Sequence, residues 1–285
     1  MLLIRRTNFT IGYRIRHIRS MRFPGILEVV AEKLRGRYGS IRQRFWLMPI
    51  ESIKLKIFYA RGGCWIDFYR NKLDGYASIN LLEPSSETYL HDGQVHVDYL
   101  VKHGLKPHHK LLDYGCGVLR TARYLVPYLN ANNYVGLDIS EKRIQKGRLM
   151  LSTGGISSDE YEVHVVRDCL LKELGDQQFD YVWANSVLTH MPELDIRILL
   201  HALKTHIHQN SLFYFTFSPS ERIGRKNPKQ LKIKDFYYPE NYLNNLFEEC
   251  GYSFIVMPDG HANKSGSPTV EANLRQSNFP QGFDR

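Results

Sequence analysis

The sequence predicts an α/β fold in which a doubly wound, mostly parallel β-sheet is covered by helices on both faces. Short apolar runs of strand length recur along the chain, and helical patterns separate them. The first of these runs ends in a glycine turn at Gly115 and Gly117, which an amphipathic helical pattern and a second apolar run follow. This order is that of a β-α-β unit, whose two strands lie parallel.

Strand and helix patterns then alternate as far as residue 257. After the β-α-β unit at 111–140, the expected strands are 161–167, 179–184, 212–217 and 252–257, and the expected helices are 141–151, 192–208 and 239–250. Another helix, over 94–104, leads into the first strand. Strands that alternate with helices at this spacing predict a parallel sheet covered on both faces.

Charge divides the chain into segments. The net charge is +9, and residues 1–75 alone hold 16 lysines and arginines against 5 acids. We expect a basic, partly helical N-terminal extension over 1–75, a core domain over 76–257 and an irregular tail over 258–285, with turn-forming residues between 61 and 89 at the first boundary. Three roles are open for residues 1–60, namely contact with an anionic membrane surface, contact with RNA phosphates, or docking on the core domain.

The composition is that of an ordinary globular protein, with 43% hydrophobic and 24% charged residues. No apolar run approaches the ~20 residues needed to cross a bilayer, and the first residues, MLLIRR, lack the apolar centre of a secretory signal. The four cysteines have no paired spacing, and the histidines at 108–109 and 206–208 have no accompanying ligand set. We therefore expect a cytoplasmic protein, with a peripheral membrane location as the alternative, and no metal ion.

The glycine turn predicts a ligand site. Gly115 and Gly117 let the backbone approach a ligand closely, and the helix that follows points its N–H groups at any bound anion. Asp138 ends the second strand, where a carboxylate can accept hydrogen bonds from ribose hydroxyls. Arg120 stands where a dinucleotide site has its third glycine, which argues against a pyrophosphate ligand. S-adenosylmethionine has the ribose and the carboxylate but no pyrophosphate, so it fits the turn better.

Four motifs in order resemble those of the class I S-adenosylmethionine-dependent methyltransferases. They are LLDYGCG at 111–117, YVGLDIS at 134–140, VVRDCL at 165–170 and FDYVWANSVLTHMPE at 179–193. The resemblance covers roughly residues 90–257, implies the Rossmann-like fold of that family, and is greatest to its small-molecule and glycan-type members. It also implies a seventh, antiparallel strand after residue 257, for which Thr269 to Leu274 is the one candidate segment. Either that segment forms the strand or the sheet is shortened.

On the methionine side, the resemblance implies a role for each of five residues. Asp113, Gly115 and Gly117 would shape the pocket around the methionine part of the cofactor. Cys116 would contribute its backbone, and Asn185 would lie near the transferred methyl group. The alternative for the two glycines is a plain tight turn.

On the adenosine side, the resemblance implies roles for four more residues. Asp138 would hold the ribose hydroxyls, and Ile139 would pack on the adenine. Asp168 would face the adenine amino group, with the backbone N–H of Cys169 beside it. Two alternatives stay open, because Asp138 would also suit a helix cap before Ser140 and Asp168 an ordinary loop.

An oxygen acceptor requires a base to remove its proton, and His190 is the first candidate because its loop follows the fourth strand. His91, together with Tyr89, is the second, since the segment before the core domain can fold over the cofactor as a lid. The alternatives are packing against the helix that begins near Pro192 for His190, and a surface loop for His91.

These observations predict an S-adenosylmethionine-dependent methyltransferase that methylates an oxygen of a sugar, a glycan or another small hydroxylated acceptor. Asn185 is not followed by the Pro-Pro-Tyr or Pro-Pro-Phe pattern of the amino-methylating DNA enzymes in the family, which argues against a DNA base. Two other functions stay open. One is RNA methylation, with the basic N-terminal segment binding phosphates, and the other is a non-catalytic binding protein that retains the fold.

Overall fold

The structure, a computed structural model, describes residues 48–78, 87–219, 229–232, 235–259 and 267–275. Most of the basic, partly helical extension expected over 1–75 lies outside these residues. The helices are α1 (Met48–Ala60), α2 (Trp65–Ser78), α3 (Glu87–Lys102), α4 (Ala122–Tyr128), α5 (Glu141–Thr153), α6 (Glu193–Leu203) and α7 (Glu240–Glu249). None of these helices is long and apolar enough to span a bilayer.

The strands are β1 (Leu111–Tyr114), β2 (Tyr134–Asp138), β3 (Glu162–Val165), β4 (Phe179–Ala184), β5 (Ile207–Thr216), β6 (Lys229–Lys232), β7 (Asp235–Tyr237), β8 (Ile255–Val256) and β9 (Thr269–Ala272). Seven of them form one sheet in the order β3-β2-β1-β4-β5-β9-β8, and β6 pairs with β7 in a separate ribbon. The first five strands of the sheet are parallel, whereas β9 runs antiparallel to both of its neighbours. The predicted α/β fold is thus confirmed.

Strand order places a ligand crevice at the centre of the sheet. The chain leaves β1 toward β2 and β3 on one side and returns to β4 and β5 on the other. In open parallel sheets, ligands bind at such a reversal, beyond the carboxyl ends of the strands. Buried apolar side chains cover both faces, in one cluster with α6 and α7 and another with α4 and α5, so that the sheet itself is a rigid platform for its loops.

The segment Thr269–Ala272 forms the seventh strand, so the sheet is not shortened. It lies between β5 and β8, with Phe213 opposite Ala272 and Thr216 opposite Thr269. Val270 is fully buried, which explains how a short strand without a clear periodicity is held in place. Its partners are the long strand β5 and the two-residue strand β8, rather than a regular hairpin.

Two expected element boundaries were wrong. The helix expected over 192–208 ends at Leu203, and β5 already begins at Ile207, because the His206 carbonyl accepts the backbone N–H of Phe179 at 2.8 Å and so starts the pairing with β4. The residues between 65 and 78, expected to be turns, form helix α2. Its buried side chains Trp65 and Leu73 stabilise it against the core domain despite the Asp-Gly pair within it.

Helix α5 packs closely on the glycine turn through Gly147. A Cβ on Gly147 would stand 2.6 Å from the backbone carbonyl carbon of Val118 and 2.7 Å from Cγ of Leu119. Both atoms belong to the segment between β1 and α4, which follows the turn directly. The absence of a side chain at Gly147 therefore sets how near α5 approaches the ligand-binding loop.

Gly147→Ala is expected to destabilise the protein although alanine favours helices by about 1 kcal/mol. The added Cβ meets backbone that cannot rotate away, and overpacking of this kind costs about 1–3 kcal/mol. We expect a net loss of stability and a melting temperature lower by roughly 2–4 °C, measured by thermal unfolding. Ser152→Ala on the exposed face of α5 serves as the control and should leave the melting temperature unchanged; an equal or higher melting temperature for Gly147→Ala would contradict the packing argument.

Candidate functional site

A cavity of about 570 Å³ lies beyond the carboxyl ends of β1, β2 and β4. Its floor is formed by the glycine turn and by the ends of the strands, and one wall by the loop that follows β4. Helix α2 covers it, with the side chains of Trp65, Ile66, Tyr69 and Leu73 facing inward. The cavity thus combines polar groups at strand ends with an apolar roof, an arrangement typical of small-molecule sites.

The glycine turn requires glycine at both predicted positions. Gly115 has φ +84° and Gly117 φ +60°, values that favour glycine. A Cβ on Gly115 would stand 2.3 Å from Cγ2 of Val187 in the loop after β4. The N–H groups of Gly115 and Cys116 both donate to the Leu137 carbonyl, at 2.7 and 2.9 Å. The turn is therefore bent back onto the end of β2.

Asp138 is buried and connects the two loops that border the cavity. One carboxylate oxygen accepts the backbone N–H of Gly117 at 2.9 Å, and the other accepts the backbone N–H of Ser140 at 2.8 Å. The guanidinium of Arg143 lies 3.6 Å away. The N-cap of α5 is Ser140, whose hydroxyl accepts the Arg143 backbone N–H at 3.3 Å. Asp138 therefore orders the start of α5 and lines the cavity as well.

Asp113 is a second buried carboxyl group on the same side of the cavity. The Tyr134 hydroxyl donates to it at 2.8 Å. Burial raises the pKa of Asp113 to about 7; the hydrogen bond from Tyr134 and the charge of Arg120 work against this shift, and the charge of Asp138 adds to it. Asp113 thus changes its charge close to neutral pH, unlike an exposed aspartate.

Three points of attachment hold α2 over the cavity. Arg70 donates to the carbonyls of Ile139 at 2.9 Å, Arg167 at 3.2 Å and Val166 at 3.3 Å, which lie just past β2 and β3. The Ser140 hydroxyl donates to the carboxylate of Asp74 at 2.5 Å. At the other end of the helix, the indole N–H of Trp65 donates to the His190 carbonyl at 2.8 Å.

His190 lines the cavity and is paired with an acid. Its Nδ1 lies 3.3 Å from Oδ1 of Asp235, at the start of β7, and 24% of the His190 side chain is exposed. The ring of Tyr69 stands over the imidazole, with centroids 5.2 Å apart. Burial raises the pKa of Tyr69, so its phenol is neutral at neutral pH. A partly exposed imidazole held by a carboxylate is suited to accept a proton.

Asn185 is held by a buried polar network. Its side-chain amide lies 3.3 Å from Nε2 of His96, and its carbonyl accepts the Thr216 hydroxyl at 3.4 Å. His96 is 1% exposed, and its Nδ1 lies 3.4 Å from the hydroxyl of Thr121. Because its partners come from α3 and β5, and His96 is itself held by Thr121 at the start of α4, Asn185 has a defined orientation in the cavity.

Most of the side chains predicted for the site come together in this cavity. The predicted residues that line it are Asp113, Gly115, Cys116, Asp138, Ile139, Cys169, Asn185 and His190. Gly117 does not line it and contributes through its N–H to Asp138. Arg120 lines the cavity and also lies 3.7 Å from Asp92, so both of its open roles fit.

Two predicted residues lie elsewhere. The Asp168 carboxylate accepts the Leu170 backbone N–H at 2.8 Å and does not line the cavity. His91 is exposed on α3 and does not line it either, while the side chain of its neighbour Tyr89 lies outside the described part. Within the described ranges, no three His, Cys, Asp or Glu side chains are grouped as metal ligands.

Sequence reasoning missed the α2 roof and the partner of His190. Trp65, Ile66, Tyr69 and Leu73 recur at the spacing of a helix face, and this signal would have revealed a helix with one apolar side. No comparable signal marks Asp235. It lies 45 residues after His190 in the sequence, and only the fold brings the two side chains together.

Comparison with known proteins agrees with this architecture. A family model described as a methyltransferase domain matches residues 112–213. The sterol 24-C-methyltransferase ERG6B of Gibberella zeae is 34% identical over 101 residues, which are 35% of this chain and 26% of that protein. The sterol 24-C-methyltransferase of Yarrowia lipolytica is 32% identical over 101 residues, with the same coverage. The chain thus spans about a quarter of the length of these relatives.

Solved structures share the fold at low sequence identity. The magnesium protoporphyrin IX methyltransferase of Synechocystis PCC 6803, solved with bound S-adenosylmethionine, has a TM-score of 0.56 at 18% identity, over 75% of this chain and 98% of that one. The phosphoethanolamine N-methyltransferase 1 of Haemonchus contortus has a TM-score of 0.55 at 12% identity, over 77% and 51%. Residues 112–213 thus match a methyltransferase domain, and the chain shares the fold of solved S-adenosylmethionine-dependent methyltransferases.

Proposed function

We propose that this chain transfers a methyl group from S-adenosylmethionine to an oxygen atom of a small hydroxylated acceptor, such as a sugar or a glycan. The observation that carries the proposal is a single cavity that contains both the glycine turn with its two buried acids and His190 with its partner Asp235. The first group suits the methyl donor, and the second suits an acceptor that must lose a proton.

The donor half of the cavity matches the chemistry of the cofactor. Each Asp138 oxygen accepts one backbone N–H and retains a lone pair for a ribose hydroxyl. Asp113 is suited to the ammonium group of the methionine part, because a buried carboxylate and a cation stabilise each other. Ile139 provides an apolar surface for the adenine.

In the acceptor half, the acceptor oxygen attacks the methyl carbon while the bond from carbon to the sulfonium sulfur breaks. S-Adenosylhomocysteine leaves with the bonding electron pair, and the proton of the acceptor passes to His190. Asp235 would hold the imidazole ring and stabilise the imidazolium that forms. Alignment of donor and acceptor in one closed cavity contributes much of the acceleration, since such effects reach about 7–11 kcal/mol.

The names of the relatives do not decide the acceptor. They name a sterol carbon, a porphyrin and phosphoethanolamine, which are different chemical classes. The family match ends at residue 213, whereas α2, which lines the cavity, and Asp235, which pairs with His190, lie outside the match. The RNA and membrane hypotheses depend on residues 1–60, of which the first 47 lie outside the described ranges. The oxygen acceptor therefore rests on His190 and Asp235.

The first experiment measures binding of S-adenosylmethionine and S-adenosylhomocysteine by titration calorimetry. We expect a sub-millimolar dissociation constant for the native sequence and a loss of roughly 100-fold in Asp138→Ala, because charged hydrogen bonds to the ribose contribute about 1.5–3 kcal/mol each. Asp176→Asn, an exposed change outside the cavity, is the matched control.

Absence of binding by the native protein would reject the proposed function. Binding without release of S-adenosylhomocysteine across a panel of sugars, glycans, other hydroxylated small molecules and RNA would favour the non-catalytic alternative. Release with RNA alone, with an affinity that falls steeply with salt, would favour RNA methylation.

Cofactor affinity should depend on pH through Asp113. The cofactor ammonium group favours the carboxylate, whose population rises with pH through the pKa of about 7. We therefore expect the affinity to rise between pH 6 and pH 8 by up to about tenfold and to level off above pH 8. Asp113→Asn should bind more weakly and lose this dependence. A native affinity that is flat over this range in calorimetry would contradict the assignment.

Burial of Asp113 also predicts how the free energy of unfolding depends on pH. The sign is opposite to that expected for a surface aspartate in an ion pair, whose folded pKa is lowered. The folded pKa of Asp113, about 7, lies above its unfolded value, so that the folded state binds more protons between about pH 4 and pH 7. The free energy of unfolding of the unliganded protein should therefore fall as the pH rises through this range. Asp113→Asn should remove this part of the slope in denaturant titrations at several pH values.

His190→Ala should lower kcat by roughly 100-fold or more with the acceptor found in the panel, because general base catalysis typically contributes about 10²–10⁴-fold. The dissociation constant for S-adenosylhomocysteine should stay close to the native value. Asp235→Asn should lower kcat by a smaller factor while retaining the imidazole. If His190→Ala raised only the acceptor KM, the residue would be a binding group and the base would have to be found elsewhere.

A further inference from the structure

Asp195, in the first turn of α6, lines the cavity although no sequence motif points to it. Its Oδ2 is closed to solvent and has no hydrogen-bond partner among the described residues. Burial raises the pKa of this carboxyl group. A buried oxygen without a donor is destabilising unless a ligand provides one. Rotation about χ2 exchanges the two oxygens, so either can meet a donor in the cavity.

Asp195 lies at the end of the cavity that is near β3. Its charge acts on Cys169 and Tyr114, whose hydroxyl donates to the Cys169 sulfur at 3.7 Å. Val166 and Cys169 line the cavity in the loop after β3. Ile139 lies beside them, because Asp138 pairs with Val165 in the sheet. This end is therefore separate from the glycine turn.

The surroundings of Asp195 form an apolar slot. Ile66 of α2 lies one turn before Arg70, which binds the carbonyls of Ile139 and Val166, and Met191 precedes α6. The apolar side chains line the slot on three sides. Ile66 belongs to the α2 roof, Ile139 and Cys169 follow the ends of β2 and β3, and Met191 lies in the loop after β4. A flat aromatic ring with hydrogen-bond donors on one edge fits an apolar slot that contains one acid.

Asp168 was expected to face the adenine amino group, but its carboxylate makes a contact within its own loop. Its Oδ1 accepts the Leu170 backbone N–H at 2.8 Å, and the residue does not line the cavity. This contact closes a local turn of the kind that aspartates form in loops. Asp168 therefore has a structural role in the loop, whereas Asp195 lines the cavity and has a carboxyl oxygen without a donor.

We propose that Asp195, and not Asp168, accepts a hydrogen bond from the exocyclic amino group of the cofactor adenine. The proposal rests on the proposed function, because it takes S-adenosylmethionine to be the ligand. With the methionine part at the glycine turn and the ribose at Asp138 on β2, the base extends toward β3, where Asp195 lies. The amino group then provides the donor that the carboxylate lacks.

The pairing predicts selectivity that can be measured by replacing the exocyclic amino group of the base, a change that also places a hydrogen on N1. S-Inosylhomocysteine carries a 6-oxo group in place of the amino group, so that a carbonyl oxygen would face the Asp195 carboxylate. Two acceptors repel, and a site that is built to bind a donor rejects such an analogue strongly. An asparagine amide, in contrast, can rotate to donate to the oxo group.

The experiment compares the dissociation constants of S-adenosylhomocysteine and S-inosylhomocysteine by calorimetry at pH 8. The native protein should prefer the adenine compound by about tenfold or more, and Asp195→Asn should reduce this preference to about threefold or less. Asp195→Leu, which has no polar group, should weaken binding of the adenine compound by roughly tenfold and also lose the preference.

Asp176→Asn is the matched control and should keep the native preference. Melting temperatures of all variants show whether α6 is intact, and the ratio of the two constants does not depend on the fraction of folded protein. If Asp168→Asn lost the preference while Asp195→Asn kept it, the inference would be overturned and the loop acid would be the reader. If the native protein bound neither compound, the proposed function itself would fail, which is a different result.

Discussion

The buried carboxylate of Asp138 is the interaction on which the rest of the site depends. Its two oxygens accept backbone N–H groups from Gly117 and Ser140, and so it joins the turn after β1 to the start of α5. Hydrogen bonds to an ionised group are roughly twice as strong as neutral ones. Without this carboxylate, two buried amide donors would lose their partner, and the interaction that holds both loops in their present conformation would be lost.

Burial of two carboxyl groups in one small cavity has a cost that the neighbouring arginines offset. The negative charge of Asp138 raises the pKa of Asp113, whereas the positive charge of Arg120 lowers it. Arg143 lies near Asp138. The result is a site with one acid held as a charged structural element and a second whose proton is exchangeable near neutral pH. Two residues of the same type thus have different properties because their surroundings differ.

The sequence predicted the sheet and most of the residues that line the cavity at the glycine turn, because both depend on local patterns. Apolar runs mark β1, β2 and β4, and the glycines at 115 and 117 have a local steric cause. Asp138 follows from its place at the end of β2. The acceptor half depends on contacts between distant segments, such as Asp235 with His190, and no local pattern encodes them. Asp168 shows the limit of a motif, since its carboxylate forms a turn within its own loop.

Helix α2 contacts both halves of the cavity at once. Arg70 and Asp74 attach it to the strand ends that border the nucleotide side, and Trp65 attaches it to the backbone of His190. The helix is thus held at both ends above the cavity. A displacement of α2 would therefore change the ends of β2 and β3 and the backbone of His190 together, so that the two sides of the cavity are mechanically coupled.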